Sequence, residues 1–293
     1  MNVSIVVPIY NEEEAVKETL LNLAKEFENF EKEGLINSYE IIAVNDGSTD
    51  RTKDILSKLK LKRLKLIEHK RNLGYGASLK TGISNSKYEW IFIIDADGTY
   101  PIEETKKLLE HCNSYDMVIG ARIKRGAKIP SLRRIPKWFL NKYASFLTNY
   151  EIPDLNSGMR FFKKDLSLKY WNLYPDGFSF TSVLTMASIL DKHEILYVPI
   201  NYYKRKGKSS IHPIKDTIRF FTLISKLTLY FNPIKPFSLA AFFIFLLGFS
   251  KAFLDFSANN SIGNFSLFMF ILAIQLFFFG IVLDIIVKSL RNA

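Results

Sequence analysis

The 293-residue chain has one cysteine, Cys112, and one glutamine, Gln275. A lone cysteine excludes an internal disulfide and fits a reducing compartment. Four histidines are present (His69, His111, His193 and His212), and none sits in a pattern that marks a catalytic base. Acidic residues are missing from Met117 to Tyr150, a span that carries Arg122, Lys124, Arg125, Lys128, Arg133, Arg134, Lys137 and Lys142. A second acid-free run holds Lys204, Arg205, Lys206, Lys208 and Lys215. Charge of either sign nearly vanishes from Pro236 to Val287, where Lys251, Asp255 and Asp284 stand alone. No basic segment and small-residue cleavage site precede Val3-Ser4-Ile5-Val6-Val7-Pro8, so no signal peptide is expected. Internal repeats and low-complexity segments are also missing.

The formal net charge of +11 favours anionic partners: a phosphorylated substrate, a membrane surface or nucleic acid. No basic module with interleaved aromatics supports nucleic acid, which is therefore not expected as a partner. Two basic runs beside an apolar segment fit phosphate groups or anionic lipid better.

The most informative stretch is Trp90-Ile91-Phe92-Ile93-Ile94-Asp95-Ala96-Asp97-Gly98. Its apolar run reads as a buried strand, and Asp95 and Asp97 follow at its C-terminal end. Ligands of open α/β sheets bind there. Two carboxylates at i and i+2 suit Mg²⁺ or Mn²⁺ bridged to a diphosphate. Strands are also expected over 3–8, 39–45, 64–68 and 116–120. Helices are expected from about Asn11 to Phe30, after Asp50, from about Gly76, and over 103–112. Asn11 and Glu14 have the spacing of a capping box. This alternation implies an α/β fold, Rossmann-like, with a mainly parallel sheet and helices on both faces. Gly74-Tyr75-Gly76 is not a dinucleotide fingerprint, because Leu79 stands where the third glycine belongs.

Beyond residue 212 the character changes. Ile218, Phe221, Ile224, Leu227 and Phe231 recur at helical spacing opposite Lys215, Arg219 and Lys226. Residues 213–232 thus read as an amphipathic helix, interfacial or packed on the globular part. Phe237–Ser257 and Phe265–Val287 are each long enough to cross a bilayer and form a hairpin around a short polar turn. Lys226 and Lys235 precede the hairpin, Lys288 and Arg291 follow it, and the turn has no basic residue. The positive-inside rule then predicts a multi-pass membrane protein with both ends and the catalytic part cytoplasmic. Lys251 and Asp255 are spaced to pair, and Gln275 and Asp284 to serve helix packing. Three parts are expected: 1–212, 213–232 and 233–293.

Four motifs close successive strands: Pro8-Ile9-Tyr10-Asn11-Glu12, Asn45-Asp46-Gly47-Ser48-Thr49-Asp50, Arg71-Asn72-Leu73-Gly74-Tyr75-Gly76 and Asp95-Ala96-Asp97. The ordered set resembles the nucleotide-sugar half of family 2 glycosyltransferases, which have a GT-A fold. Gly120-Ala121-Arg122, Asp154-Leu155-Asn156-Ser157-Gly158-Met159-Arg160, Gly177-Phe178-Ser179-Phe180, Val198-Pro199-Ile200 and Arg205-Lys206-Gly207-Lys208-Ser209-Ser210 extend it. Over roughly residues 1–230 the chain is similar to the dolichol-phosphate mannose synthase and polyprenyl-phosphate glucosyltransferase branch.

The resemblance implies inverting, metal-dependent transfer of a hexose from a GDP- or UDP-linked sugar to a polyprenyl phosphate, dolichyl or undecaprenyl. It implies donor contacts from Pro8, Tyr10, Glu12, Asp46, Asn72 and Asp95, and Mg²⁺ or Mn²⁺ held by Asp95 and Asp97. Asp97, Asp154 and Arg122 would serve the reacting centre. Arg133, Arg134, Arg160, Arg205, Lys208 and Ser209 would receive the acceptor phosphate, with Arg160 also near the reacting sugar. Mannose synthases often have Gln two residues after the second Asp, where it helps hold the metal. Thr99 stands there in this chain and is a poorer ligand, which weakens GDP-mannose as the donor. Processive synthases carry Gln-x-x-Arg-Trp, which this chain cannot form. Another lipid or glycan acceptor, or a non-catalytic membrane adaptor, stays open.

Overall fold

The computed structural model describes residues 1–124, 131–177, 179–205 and 213–292, without the side chains of 131–137, 213–219, 259, 291 and 292. Contacts divide the chain into two compact units. One comprises Met1–Phe146 with Tyr150–Leu223, the other Leu147–Asn149 with Ile224–Ala293.

The first unit is built on a seven-stranded sheet. Its strands are β1 (Asn2–Ile9), β2 (Ser38–Asn45), β3 (Leu64–Glu68), β4 (Trp90–Ile93), β5 (Met117–Ala121), β6 (Arg160–Lys163) and β7 (Ile195–Pro199). Their spatial order is β3-β2-β1-β4-β6-β5-β7. Pairings β1–β2, β1–β4, β2–β3 and β5–β7 are parallel, and β6 runs antiparallel to both β4 and β5. The expected mainly parallel sheet is present, with β6 inserted against the grain. Helices α1 (Val16–Lys32), α2 (Thr52–Ser57), α3 (Tyr75–Ser84), α4 (Thr105–Leu109) and α5 (Ser131–Thr148) alternate with the strands. Helices α6 (Lys164–Lys169) and α7 (Phe180–Leu190) follow β6. The helix expected over 103–112 is a 3₁₀ turn, Ile102–Glu104, running into the short α4.

Two expectations about the first turn need correction. Pro8 does not end β1 but lies within it, opposite Val44. Asn11 does not cap α1. It has φ 54°, and its Oδ1 accepts from Thr49 N at 2.8 Å. The helix begins five residues later, where Ala15 N and Val16 N donate to the Glu12 carbonyl. Asn11 is thus spent on joining two loops rather than on the helix.

The core explains why the apolar runs are strands. All of β4 is buried, and Phe92 stacks on Phe161 of β6 with centroids 4.3 Å apart. Phe27 of α1 lies 5.6 Å from Phe92 and 5.4 Å from Phe30. This cluster clamps α1 onto the two strands that lead into Asp95 and out of Gly158.

Helix α8 (Pro213–Phe231) precedes the apolar pair α9 (Ile234–Asn259) and α10 (Asn264–Asn292). The spans Ile234–Ala258 and Asn264–Leu290 have mean hydropathies of 2.0 and 2.7 and are long enough to cross a bilayer. The two helices pack as a hairpin: a Cβ at Gly248 would lie 2.9 Å from Met269 Cβ, and one at Gly280 would lie 2.7 Å from Phe237 Cβ. Such glycines let helices approach closely in lipid. Lys251 pairs with Asp255 as its spacing predicts, and Lys288 pairs with Asp284 at 2.6 Å.

Truncating Phe161 to Ala should cost about 3–5 kcal/mol through the cavity left in this cluster. The readout is a lower thermal midpoint of the detergent-solubilised protein. Leu21→Ala, on an exposed face of α1, should shift it little.

Candidate active site

β1, β2 and β4 run parallel, so the segments that leave their C-terminal ends gather at one edge of the sheet. That edge collects acid. Glu12 and Asp97 are buried, at 8% and 7% exposure, and Asp95 is half-buried. Burial drives Glu12 up to about 7, opposed by Arg205 and reinforced by Asp97 and Asp95. Burial and the Asp97 charge together hold Asp95 at about 6. Carboxylates with raised pKa values in one cleft are short of positive charge.

Each carboxylate is oriented by a neighbour. Asp97 Oδ1 accepts from Thr99 Oγ1 at 2.6 Å and from Thr99 N at 3.1 Å. Its Oδ2 lies 3.5 Å from Arg205 Nε, and Arg205 also pairs with Glu12 Oε1. Thr99 therefore fixes one Asp97 oxygen and leaves the other toward Arg205. Asp95 Oδ1 accepts from the Tyr75 hydroxyl at 2.9 Å. Gly158 borders its other oxygen, and a Cβ there would sit 2.5 Å from Asp95 Oδ2.

Arg122 and Asp154 form the second cluster. Arg122 Nε donates to Asp154 Oδ2 and its terminal nitrogen to Oδ1, both at 2.8 Å. The same nitrogen reaches Asn156 Oδ1, and the backbone N–H of Arg122 also donates to Asp154. The guanidinium lies over the Tyr202 ring at 5.2 Å and the Tyr100 ring at 6.0 Å. Burial is the largest influence and would depress its pKa, but Asp154 together with Tyr100 and Tyr202 more than offsets it, so Arg122 stays charged. Asp154 is fully buried with both oxygens on Arg122, so it positions that arginine rather than meeting a sugar.

Arg160 requires the largest correction. It is fully buried on β6. Its Nε and a terminal nitrogen donate to the Ser157 carbonyl, and the other terminal nitrogen reaches Thr181 O at 3.1 Å and Thr185 Oγ1 at 2.7 Å. A guanidinium so enclosed braces the 154–158 loop against α7 and does not reach a lipid phosphate or the reacting sugar.

Of the other expected donor residues, Asn72 is exposed, and Tyr10 is 37% exposed just past β1. Pro8 is buried in β1 and offers only its neighbourhood. Asp46 is buried, and its carboxylate accepts from Leu73 N, Gly74 N and His69 Nδ1. Lys208 and Ser209 lie outside the described residues, as do the side chains of Arg133 and Arg134 on α5. Gly74 and Gly76 are backbone-packing glycines. Gly76 N and Ala77 N donate to Gly177 O and Asp176 O, and a Cβ at Gly76 would lie 2.2 Å from Pro175 O. The start of α3 is thereby covered by chain.

Sequence reasoning missed Tyr75, Tyr100, Tyr202, His69 and the orienting role of Thr99. It also missed the apolar face of α5, where Trp138, Phe139 and Phe146 are 63%, 48% and 50% exposed. Tyr143 of α5 stacks on Phe221 of α8, 4.6 Å apart. The alternation of Trp138 and Phe139 with Lys137 and Lys142 was the available signal for that amphipathic face.

Among the described residues no three His, Cys, Asp or Glu side chains form a metal cage. The donor set still suits Mg²⁺ or Mn²⁺, which bind through one or two carboxylates and complete their shell with water and substrate phosphates. Asp97 and Asp95 each keep one oxygen clear of the hydrogen bonds that orient them.

Residues 4–171 match the model of glycosyl transferase family 2, and residues 232–288 match the GtrB C-terminal hairpin. The dolichyl-phosphate hexose transferase of Haloferax volcanii is 28% identical over 215 residues, covering 72% of this chain and 87% of the relative. A prophage bactoprenol glucosyl transferase homolog of Escherichia coli is 30% identical over 171 residues, covering 57% and 53%. Among solved structures, glucosyl-3-phosphoglycerate synthase of Mycobacterium tuberculosis, with Mn²⁺, UDP and phosphoglyceric acid, superposes with a TM-score of 0.59. It covers 78% of each chain at 14% identity, which speaks for the fold alone. With a family match across more than half its length and a sheet edge built of the residues described, this chain belongs to glycosyl transferase family 2.

Proposed function

We propose that this glycosyltransferase moves a hexose from a nucleoside diphosphate sugar to a polyprenyl phosphate at the membrane surface. The observation that carries the reading is the cluster of Glu12, Asp95, Asp97, Arg122 and Arg205 on a chain that ends in an apolar hairpin. The names of the Haloferax and Escherichia relatives point to lipid-phosphate acceptors. The amphipathic α5 and α8 would lie in the interface, bringing the lipid headgroup to the site. Basic residues at both ends of the hairpin favour a cytoplasmic catalytic part. The functional parts would be the glycosyltransferase domain to residue 212, the interfacial helix 213–232 and the hairpin 233–293.

In the reaction a phosphate oxygen of the lipid attacks the anomeric carbon. The bond from that carbon to the diphosphate breaks on the opposite face, with inversion. The products are the lipid-linked sugar phosphate and a nucleoside diphosphate. A divalent ion held by Asp97 and Asp95, when bound, would offset charge on the leaving diphosphate. Asp46, with Tyr10, Glu12 and Asn72, would border the nucleoside. Arg122, held charged and aimed by Asp154, would stabilise the phosphates. Arg205 would exchange its carboxylate partners for a phosphate, joined by Arg133, Arg134, Lys208 and Ser209. The acceptor is already an anion at neutral pH, so the site requires no strong base.

The test uses the full chain in detergent with polyprenyl phosphate, Mn²⁺ or Mg²⁺, and radiolabelled UDP-glucose, UDP-N-acetylglucosamine or GDP-mannose. Label should pass into the lipid from one of these donors. Asp97→Ala should lower that rate by about 100-fold or more. Transfer to water or to a soluble glycan, and none to the lipid, would overturn the acceptor. Thr99→Val should keep the fold and raise the Mn²⁺ concentration for half-maximal rate by about tenfold, as loss of an outer-shell partner does. An unchanged requirement would remove Thr99 from the metal site.

A further inference from the structure

At the far side of the donor edge a part-buried chain of hydrogen bonds links three elements. His69 follows β3, and its side chain is 9% exposed. Its Nδ1 lies 2.6 Å from Asp46 Oδ1, and its Nε2 lies 2.9 Å from Thr81 Oγ1 on α3. An ionised carboxylate only accepts, so Nδ1 carries the proton in this pair. The hydroxyl of Thr81 then donates to the other nitrogen.

Asp46 then reaches the next loop. Leu73 N donates to Oδ1 at 2.9 Å, and Gly74 N donates to Oδ2 at 2.8 Å. The side chains of this turn do not anchor it: Arg71 and Asn72 are exposed, and Leu73 is 44% exposed. Its shape depends on the backbone hydrogen bonds to Asp46, on two glycines, and at its exit on the 175–177 segment, which accepts from Gly76 N and Ala77 N. Gly74 has φ 108°, and a Cβ at Gly47 would lie 2.5 Å from the Arg71 carbonyl carbon. Tyr75 follows directly, with its hydroxyl on Asp95. The chain of contacts is therefore Thr81, His69, Asp46, the Leu73–Gly74 turn, Tyr75 and Asp95.

We propose that His69 is a positioning residue for donor binding: its imidazole sets the Asp46 carboxylate, and through it the Leu73–Tyr75 turn that borders the nucleoside diphosphate. This rests on the reading of that edge as the donor site. Without the imidazole, the carboxylate is free to rotate and releases one of two backbone donors. The turn then samples other shapes, and the donor must select the right one at a cost in affinity. The acceptor side proposed on Arg205 does not share these hydrogen bonds.

The experiment measures calorimetric binding of UDP and of GDP, each with Mn²⁺, to the full chain in detergent, together with KM for undecaprenyl phosphate. His69→Ala should weaken the nucleotide that the wild type binds by about tenfold, the order expected for a hydrogen bond to a charged group. Its acceptor KM should stay unchanged. His69→Asn, whose amide N–H can take the place of Nδ1–H, should recover most of the affinity. Thr81→Val should weaken it in the same direction by a smaller factor, and it decides the matter should His69→Ala fail to fold. Wild-type affinity in His69→Ala, or equal losses in the Ala and Asn variants, would overturn the assignment. A wild-type chain that binds neither nucleotide would overturn the donor reading and this inference with it.

Discussion

The repulsion among Glu12, Asp95 and Asp97 is the constraint on which the rest of the site depends. Burial and mutual proximity raise Glu12 to about 7 and Asp95 to about 6. A fold tolerates such a cluster only where positive charge is supplied. Arg205 supplies part of it, pairing with Glu12 and approaching Asp97. In the function proposed, a divalent ion would supply more, and Arg205 would then be free to turn to the acceptor. Thr99 and Tyr75 hold the carboxylates in place without adding charge.

The scaffold meets this constraint by placing small residues where backbone must pass close. Gly158 leaves room for Asp95, Gly47 for the Arg71–Asn72 backbone, and Gly76 for the 175–177 segment. Arg160 braces the loop that carries Asp154 and Gly158, from beneath the sheet edge. Without carboxylate partners among its hydrogen bonds, it relies on carbonyl and hydroxyl acceptors, and burial lowers its pKa. It is a structural cation, held by backbone and hydroxyl oxygens.

Much of the carboxylate edge was legible in the sequence because each of its motifs is local. A strand followed at once by Asp95 and Asp97 announces its burial and the carboxylates at its end. The hairpin was equally plain, since Pro236–Val287 is almost free of charge. What stayed hidden is long-range. Strand β6 is four residues long, and its place between β4 and β5 depends on pairings far apart in sequence. Arg160 looked like one more phosphate ligand, because nothing near it in sequence shows that Thr181 and Thr185 enclose it. Asn11 and Glu14 had the spacing of a cap, yet the hydrogen bond from Thr49 N, thirty-eight residues on, overrode it. His69 gave no signal, since its partners Asp46 and Thr81 lie in other elements.

In the function proposed, this carboxylate edge receives a nucleoside diphosphate only together with a divalent cation. Titration of UDP and GDP into the full chain, with Mn²⁺ and again with the metal chelated, measures this. One nucleotide should bind with Mn²⁺, lose that binding on chelation, and lose it equally in Asp97→Asn with Mn²⁺ present. Equal affinity with and without the metal, unchanged in Asp97→Asn, would rule out a metal-bridged donor site.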